Sequence, residues 1–226
     1  MTHHDTSQGA TLAGRLVQGG SSAVGTALSA TIRSIAALRP ASKPLHPEGA
    51  VVTGTLERRG STVPTGSAWV DEPGRDEVVV RLSRAIGLPE AVPDIHGLAV
   101  RVPTPAGEGD LLFASTGWGP LGRFVLTFGS GPESRPLTTL LPYRTSAGPV
   151  LLGVRATDPQ VYEMSWCRPR GQWHPFAELR LSGDEASDRT ISFDPVRNQL
   201  PGLAQYAWVR RLREPSYKSA RKSRRV

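Results

Sequence analysis

Two stretches of this sequence hold residue types able to move a proton or seize an anion. The first is KPLHPEGAVVTG, residues 43–54, with His46 set between Pro44 and Pro47 and followed by Gly49 and Gly54. Proline fixes φ and glycine admits positive φ, so this backbone is shaped rather than merely loose. A histidine on stiff backbone at the mouth of a strand can serve as general acid and base near neutral pH. The plain alternative is a surface histidine in a proline-rich connector. The second is EVVVRLSRAIG, where strand alternation sets Arg81 with Val79 and Ser83 on one face. An arginine among apolar strand neighbours needs an acidic partner or a ligand anion.

These residues have to be carried by short strands. From Ala50 to about Ser182 the pattern is β, with strands expected near 50–58, 77–83, 97–102, 110–115, 123–128, 148–156, 160–167 and 175–182. The turn signals DEPGRD, TPAGEGD, GWGPLG, SGPESRP and RPRGQW separate them. Eight short strands without long intervening helices suggest an antiparallel barrel or sandwich. The chain of 226 residues is long enough for one domain with a sizeable core.

Before the β region, residues 1–10 read as disordered. Leu16, Val24, Leu28, Ile32 and Ile35 form a helical stripe over Leu12–Leu38, interrupted by GGSS at 19–22. We read an N-terminal arm over 1–42, a barrel core over 43–182, and a crossing segment with a closing basic helix or helix pair over 183–226.

The net charge of +7 is unevenly placed. Val209–Val226 holds eight basic residues against Glu214 alone and so carries the whole formal excess. That argues against a generally basic nucleic-acid face. It narrows the partner of the tail to phosphate, a membrane surface or a cofactor's carboxylates.

The single Cys167 excludes an internal disulfide framework and fits a reducing compartment. Beside Trp166 it reads as a buried thiol rather than a thiolate ligand. No basic and apolar leader opens the chain and no run of apolar residues is long enough to span a bilayer, so a cytoplasmic location is expected. There is no CxxC, HExxH, GxSxG or glycine-rich phosphate loop.

Taken in order, the motifs resemble those of haem catalases, in particular short catalase-related peroxidases. LHPEGAVVTG resembles the distal-histidine segment, with glycine three and eight positions after His46, and with Val51 where the family has a further glycine. RLSR resembles RFST, whose arginine holds a haem propionate. PDIHGLAVRV resembles DPRGFAVKF, with His96 at the place of a second propionate-binding arginine. GDLLFASTG resembles DLVGNNT, with Ser115 at the distal asparagine. TTLLPYRTSAGPVLLG looks like a structural segment of the same family. REPSYKSARKSR resembles the proximal segment, in which one arginine precedes the iron-ligating tyrosine by four positions and another follows it by seven: Arg213, Tyr217 and Arg224.

The resemblance implies a catalase-like eight-stranded antiparallel barrel with an N-terminal helical arm and a C-terminal proximal helix. It implies a b-type ferric haem with Tyr217 on the iron. Arg213 would favour the phenolate, whose ordinary pKa is about 10. Arg81, His96 and Arg224 would hold propionates, while His46 and Ser115 would handle peroxide. Pro215 limits the helix to a start near Arg213 or a break there.

The expected function is peroxidase-type turnover of hydrogen peroxide or an organic peroxide with an external reductant; assembly as a homo-oligomer is left open. The alternative is a binding barrel for haem or another hydrophobic anion, favoured by Ser115 and His96. A haem-free hydrolase using His46 with Ser83 or Ser115 has the least support. No specific nucleic-acid partner is expected, and contact of the basic tail with a membrane stays open.

Overall fold

A computed structural model describes residues 49–86, 91–185 and 191–222. The N-terminal arm, His46 and Arg224 fall outside the described residues, as does the side chain of Tyr217.

Valine-rich strands bury one face and expose the other, and here they close on themselves. The strands are β1 (Gly49–Arg58), β2 (Gly74–Arg84), β3 (His96–Thr104), β4 (Gly107–Ser115), β5 (Leu137–Thr138), β6 (Tyr143–Thr145), β7 (Gly148–Asp158), β8 (Val161–Cys167), β9 (His174–Glu185) and β10 (Ala204–Gln205). Their order is β10-β6-β7-β5-β4-β3-β2-β1-β9-β8, and β7 also pairs with β8. That last pairing shuts an eight-stranded antiparallel barrel, with β6 and β10 attached outside the ring. Closure removes the exposed sheet edges that eight open strands would leave.

Inward positions follow the period of two. Val78 and Val80, then Leu98, Val100 and Val102, then Leu111 and Phe113 fill the interior with Tyr162, Met164, Trp166 and Phe176. Strand β7 is buried on both faces: Val150, Leu152 and Val154 point into the barrel, while Leu151 packs outside with Phe124 and Cys167. Two-sided burial explains why its VLLGV run is continuous rather than alternating.

At one barrel end a short helix, α1 (Ala68–Asp71), tucks Val70 and Trp69 against the core, with Trp69 edge-on to Phe176 at 5.8 Å. The other end is formed by the start of β1, the end of β2, the start of β3 and the end of β4. The register there aligns Gly49, Ser83, Gly97 and Ala114.

Two sequence expectations are corrected. Residues 123–128 form no strand. A 3-10 turn covers Gly122–Phe124 and only the isolated bridge Thr116–Leu126 follows, while the neighbour of β4 is the two-residue β5 at 137–138. The apolar letters of FVLTF serve a loop pinched at Gly117 and Gly122, whose amide and carbonyl hydrogen-bond at 3.1 Å. Nor does the closing helix start or break near Arg213. Helix α2 runs from Ala207 to Lys222 straight through Pro215.

Candidate functional site

The outer face of β1–β4 is the surface the functional motifs build. One row across it is Val51, Arg81, Ala99 and Leu112, and the next is Gly49, Ser83, Gly97 and Ala114. At ordinary strand spacing four strands make a platform about 14 Å wide. Apart from Arg81 it carries small or apolar side chains at its centre. At Gly97 an added Cβ would lie 2.6 Å from Ser83 Oγ, so any larger residue there would have to turn that hydroxyl aside. Arg81 lies outward, on the face where alternation placed it, beside Ala99 and Val51.

Two elements border this platform. On the β4 edge, α2 lays Val209 on Leu140 and Leu141, with Ala114, Leu126, Tyr206 and Leu212 packed around them. Leu140 is held at φ 59°, a left-handed conformation costly for leucine. Burial against α2 and a bond from its amide to Thr138 Oγ1 at 3.2 Å hold it there.

On the side toward the opposite barrel end, residues 191–200 cross over Arg101 and Asp110. The Asp110 carboxylate accepts from Arg101 Nε at 2.7 Å and Nη2 at 2.8 Å, from the Asp194 amide at 2.6 Å and from Asn198 Nδ2 at 2.8 Å. The hydrogen bond to Asp110 outweighs desolvation and raises the Arg101 pKa. The guanidinium also sits over the Phe193 ring at 5.1 Å.

Ser115 and His96 are brought together, but on the inner side of the sheet. Ser115 is buried and its Oγ accepts from the His96 amide at 3.1 Å while donating to the Thr127 carbonyl at 2.6 Å. A ring nitrogen of His96 meets the Gly129 carbonyl at 3.0 Å. Both residues therefore clip the 116–129 loop to the barrel mouth. Asp94 completes that clip. It exchanges backbone bonds with Gly129, and its buried carboxylate accepts from the amides of Ile86 and Ile95 and faces Arg84 Nε at 3.6 Å.

Arg213, on α2, directs a nitrogen to the Thr139 carbonyl at 3.5 Å. It is close enough to Tyr143 to oppose the burial that pushes that phenol's pKa upward. Thus Arg81 lies on the platform, Arg213 is turned toward Thr139 and the buried Tyr143, and His96 and Ser115 belong to the loop anchor.

The sequence reading missed the Arg101–Asp110 pair. A signal was present: Arg101 stands in LAVRV as Arg81 stands in VVVRL, an outward arginine between valines, and Asp110 faces it across the TPAGEG hairpin.

No protein-family model matches the chain, and no curated protein sequence matches it. Solved catalases share its fold. Catalase A from Saccharomyces cerevisiae superimposes with a TM-score of 0.58 at 9% identity, covering 84% of this chain and 62% of that one. A bacterial catalase gives 0.55 at 12%, covering 85% and 59%. A fungal catalase gives 0.59 at 11%, covering 84% and 60%. The chain thus has the catalase-like barrel and spans about three fifths of the length of these catalases. At this level of identity the likeness defines the fold, on which different chemistries can be built.

Proposed function

We propose that this chain binds haem against the outer face of β1–β4 and supports peroxidase-type turnover of hydrogen peroxide or an organic peroxide with an external reductant. The observation that carries the reading is the platform itself. A cationic Arg81 stands among Gly97, Ala99 and Ala114, on the face bordered by α2. A flat, largely apolar dianion suits such a surface, because a guanidinium can take a carboxylate while the small side chains let a ring lie close. The shared fold with solved catalases supports the same placement.

In this reading Arg81 and Arg224 would hold propionates and Tyr217 would bind the iron. Tyr217 follows Arg213 by one helical turn within the unbroken α2. His46 stands three residues before Gly49, which is in the row with Ser83 and Gly97. There it would take the proton of the peroxide and return it to the departing oxygen. Ferric haem, when bound, supplies the redox chemistry of peroxide cleavage. His96 is left out of the propionate set, since its ring is engaged by Gly129.

The bonds of Ser115 favour peroxidase-type turnover over catalase-type dismutation, because its hydroxyl is committed on the inner face. The same observation favours a second reading: a barrel that binds haem or another hydrophobic anion without turning it over. A visible spectrum of protein made with haem precursor, with a haem assay, tests both. A Soret band of ferric tyrosinate type that Tyr217→Phe alters supports haem ligation, and peroxide-dependent oxidation of a reductant then separates the readings. Clean protein that takes up no haem overturns the first reading and leaves the second only with another hydrophobic anion.

A further inference from the structure

The haem reading leaves unexplained much of the basic charge that the sequence concentrates in α2. Val209 is buried on the barrel and Leu212 packs beside it, so the helix is already partnered along that stripe. Arg210 and Arg211 are exposed. Lys218, Arg221 and Lys222 continue the helix, and Glu214 is the only acid in the basic segment. Trp208, one residue before Val209, is 37% exposed and stacks on Tyr206 at 6.5 Å.

An independent feature lies against the same helix. Leu126 packs on the α2 contact, and its neighbours Val125 and Phe128 point outward at 43% and 52% exposure. Leu121, at 58%, belongs to the same loop. Exposed large apolar side chains on one loop beside a basic helix need an account that charge alone does not give. Tyr206 and Leu126 both pack on the cluster of Leu140, Leu141 and Val209, so Trp208 and the apolar loop both adjoin residues of one cluster.

We infer that α2 and the 121–128 loop form a docking surface for an anionic phospholipid bilayer. The basic residues meet headgroup phosphates, and Val125, Phe128 and Trp208 enter the boundary between headgroup and acyl chain. Interfacial binding draws on both terms, electrostatic attraction to anionic lipid and burial of apolar area, and tryptophan suits that depth. A nucleic acid would use the same arginines but would have no use for valine and phenylalanine at 125 and 128, so the membrane is the partner the two features share. The inference does not rest on haem.

The test is co-sedimentation of the full chain with vesicles of phosphatidylcholine alone and of phosphatidylcholine mixed with phosphatidylglycerol. Binding is expected to the anionic vesicles only, and to fall as salt is raised. Arg210→Ala with Arg211→Ala should lower partitioning by roughly 25-fold, at about fivefold for each basic residue near the surface. Phe128→Ser and, separately, Trp208→Ser should each weaken it at unchanged charge, and two exposed positions guard against one misfolding. Equal binding to neutral vesicles, no binding to anionic ones, or indifference to Phe128→Ser and Trp208→Ser overturns the inference. So does a duplex oligonucleotide that binds tightly while the vesicles do not.

Discussion

Ser115 joins its hydroxyl to the backbone amide of His96 at 3.1 Å across the mouth of the barrel. The same oxygen donates to the Thr127 carbonyl at 2.6 Å, so one side chain ties β3, β4 and the 116–129 loop together. Arg81 lies on the other face of this sheet. Positions that the motif resemblance placed in one pocket are thus divided by the pleat, whose side chains alternate in and out.

Removing that hydroxyl should cost stability whatever the chain binds. Ser115→Ala leaves a buried amide and a buried carbonyl without their partner, a loss of about 1–3 kcal/mol. Urea unfolding of the ligand-free protein reads it directly. An unchanged midpoint would mean that the loop is held without Ser115.

His46→Ala addresses the chemistry rather than the fold. A general acid and base contributes about 10²–10⁴-fold, so peroxide turnover should drop on that scale while the haem band persists. If the rate is unaffected, the proton is handled elsewhere.

Gly54 is the second glycine of the histidine motif, and its role is visible in the barrel seam. A Cβ there would stand 2.7 Å from the Arg180 carbonyl, where β1 and β9 close the ring beside a register shift. A backbone carbonyl cannot swing aside as a side chain can. Gly54→Ala should therefore destabilise the protein by about 1–3 kcal/mol through overpacking. A thermal melt equal to wild type would show that the seam is looser than this geometry requires.

Alkaline pH should weaken the fold well before arginine titrates. Burial, with a smaller push from Glu133, raises the Tyr162 phenol from 10.0 to about 12, and burial against an opposing Arg123 raises the Cys167 thiol from 9.0 to about 12. Both folded values exceed the unfolded ones. Their stabilisation is therefore complete below pH 9 and is lost as pH rises toward 12, by on the order of a few kcal/mol together. The Tyr162 hydroxyl has no hydrogen-bond partner among the described residues. Tyr162→Phe should thus be neutral or stabilising near pH 7 and should flatten the alkaline loss. Urea midpoints measured across alkaline buffers check both; a midpoint insensitive to pH above 9 contradicts the assignment.

Much of the architecture was legible because strands announce themselves locally. Alternating valines, the Gly and Pro turns and the outward setting of Arg81 depend on neighbours two residues apart, and seven of the eight expected strands stand where the pattern put them. The ordered motifs pointed to the catalase-like barrel that the structure has. The stretch 123–128 misled, since FVLTF is apolar for a different reason: Leu126 packs on α2, while Val125 and Phe128 face outward.

Pro215 also misled, because a helix-breaking cost of about 3 kcal/mol argued for a boundary that α2 does not have. The packing of Val209 and Leu212 on the barrel supports the helix upstream of it, a contribution that no local propensity contains. The sequence by itself determined seven of the eight barrel strands, the outward arginine and the concentration of charge at the C-terminal end. Only the tertiary structure decided that His96 and Ser115 serve the loop, that Arg101 and Asp110 hold the crossing segment, and that Arg213 reaches toward Tyr143. Those partners are set by strand register and by contacts between residues far apart in the chain, which residue type and local spacing do not encode.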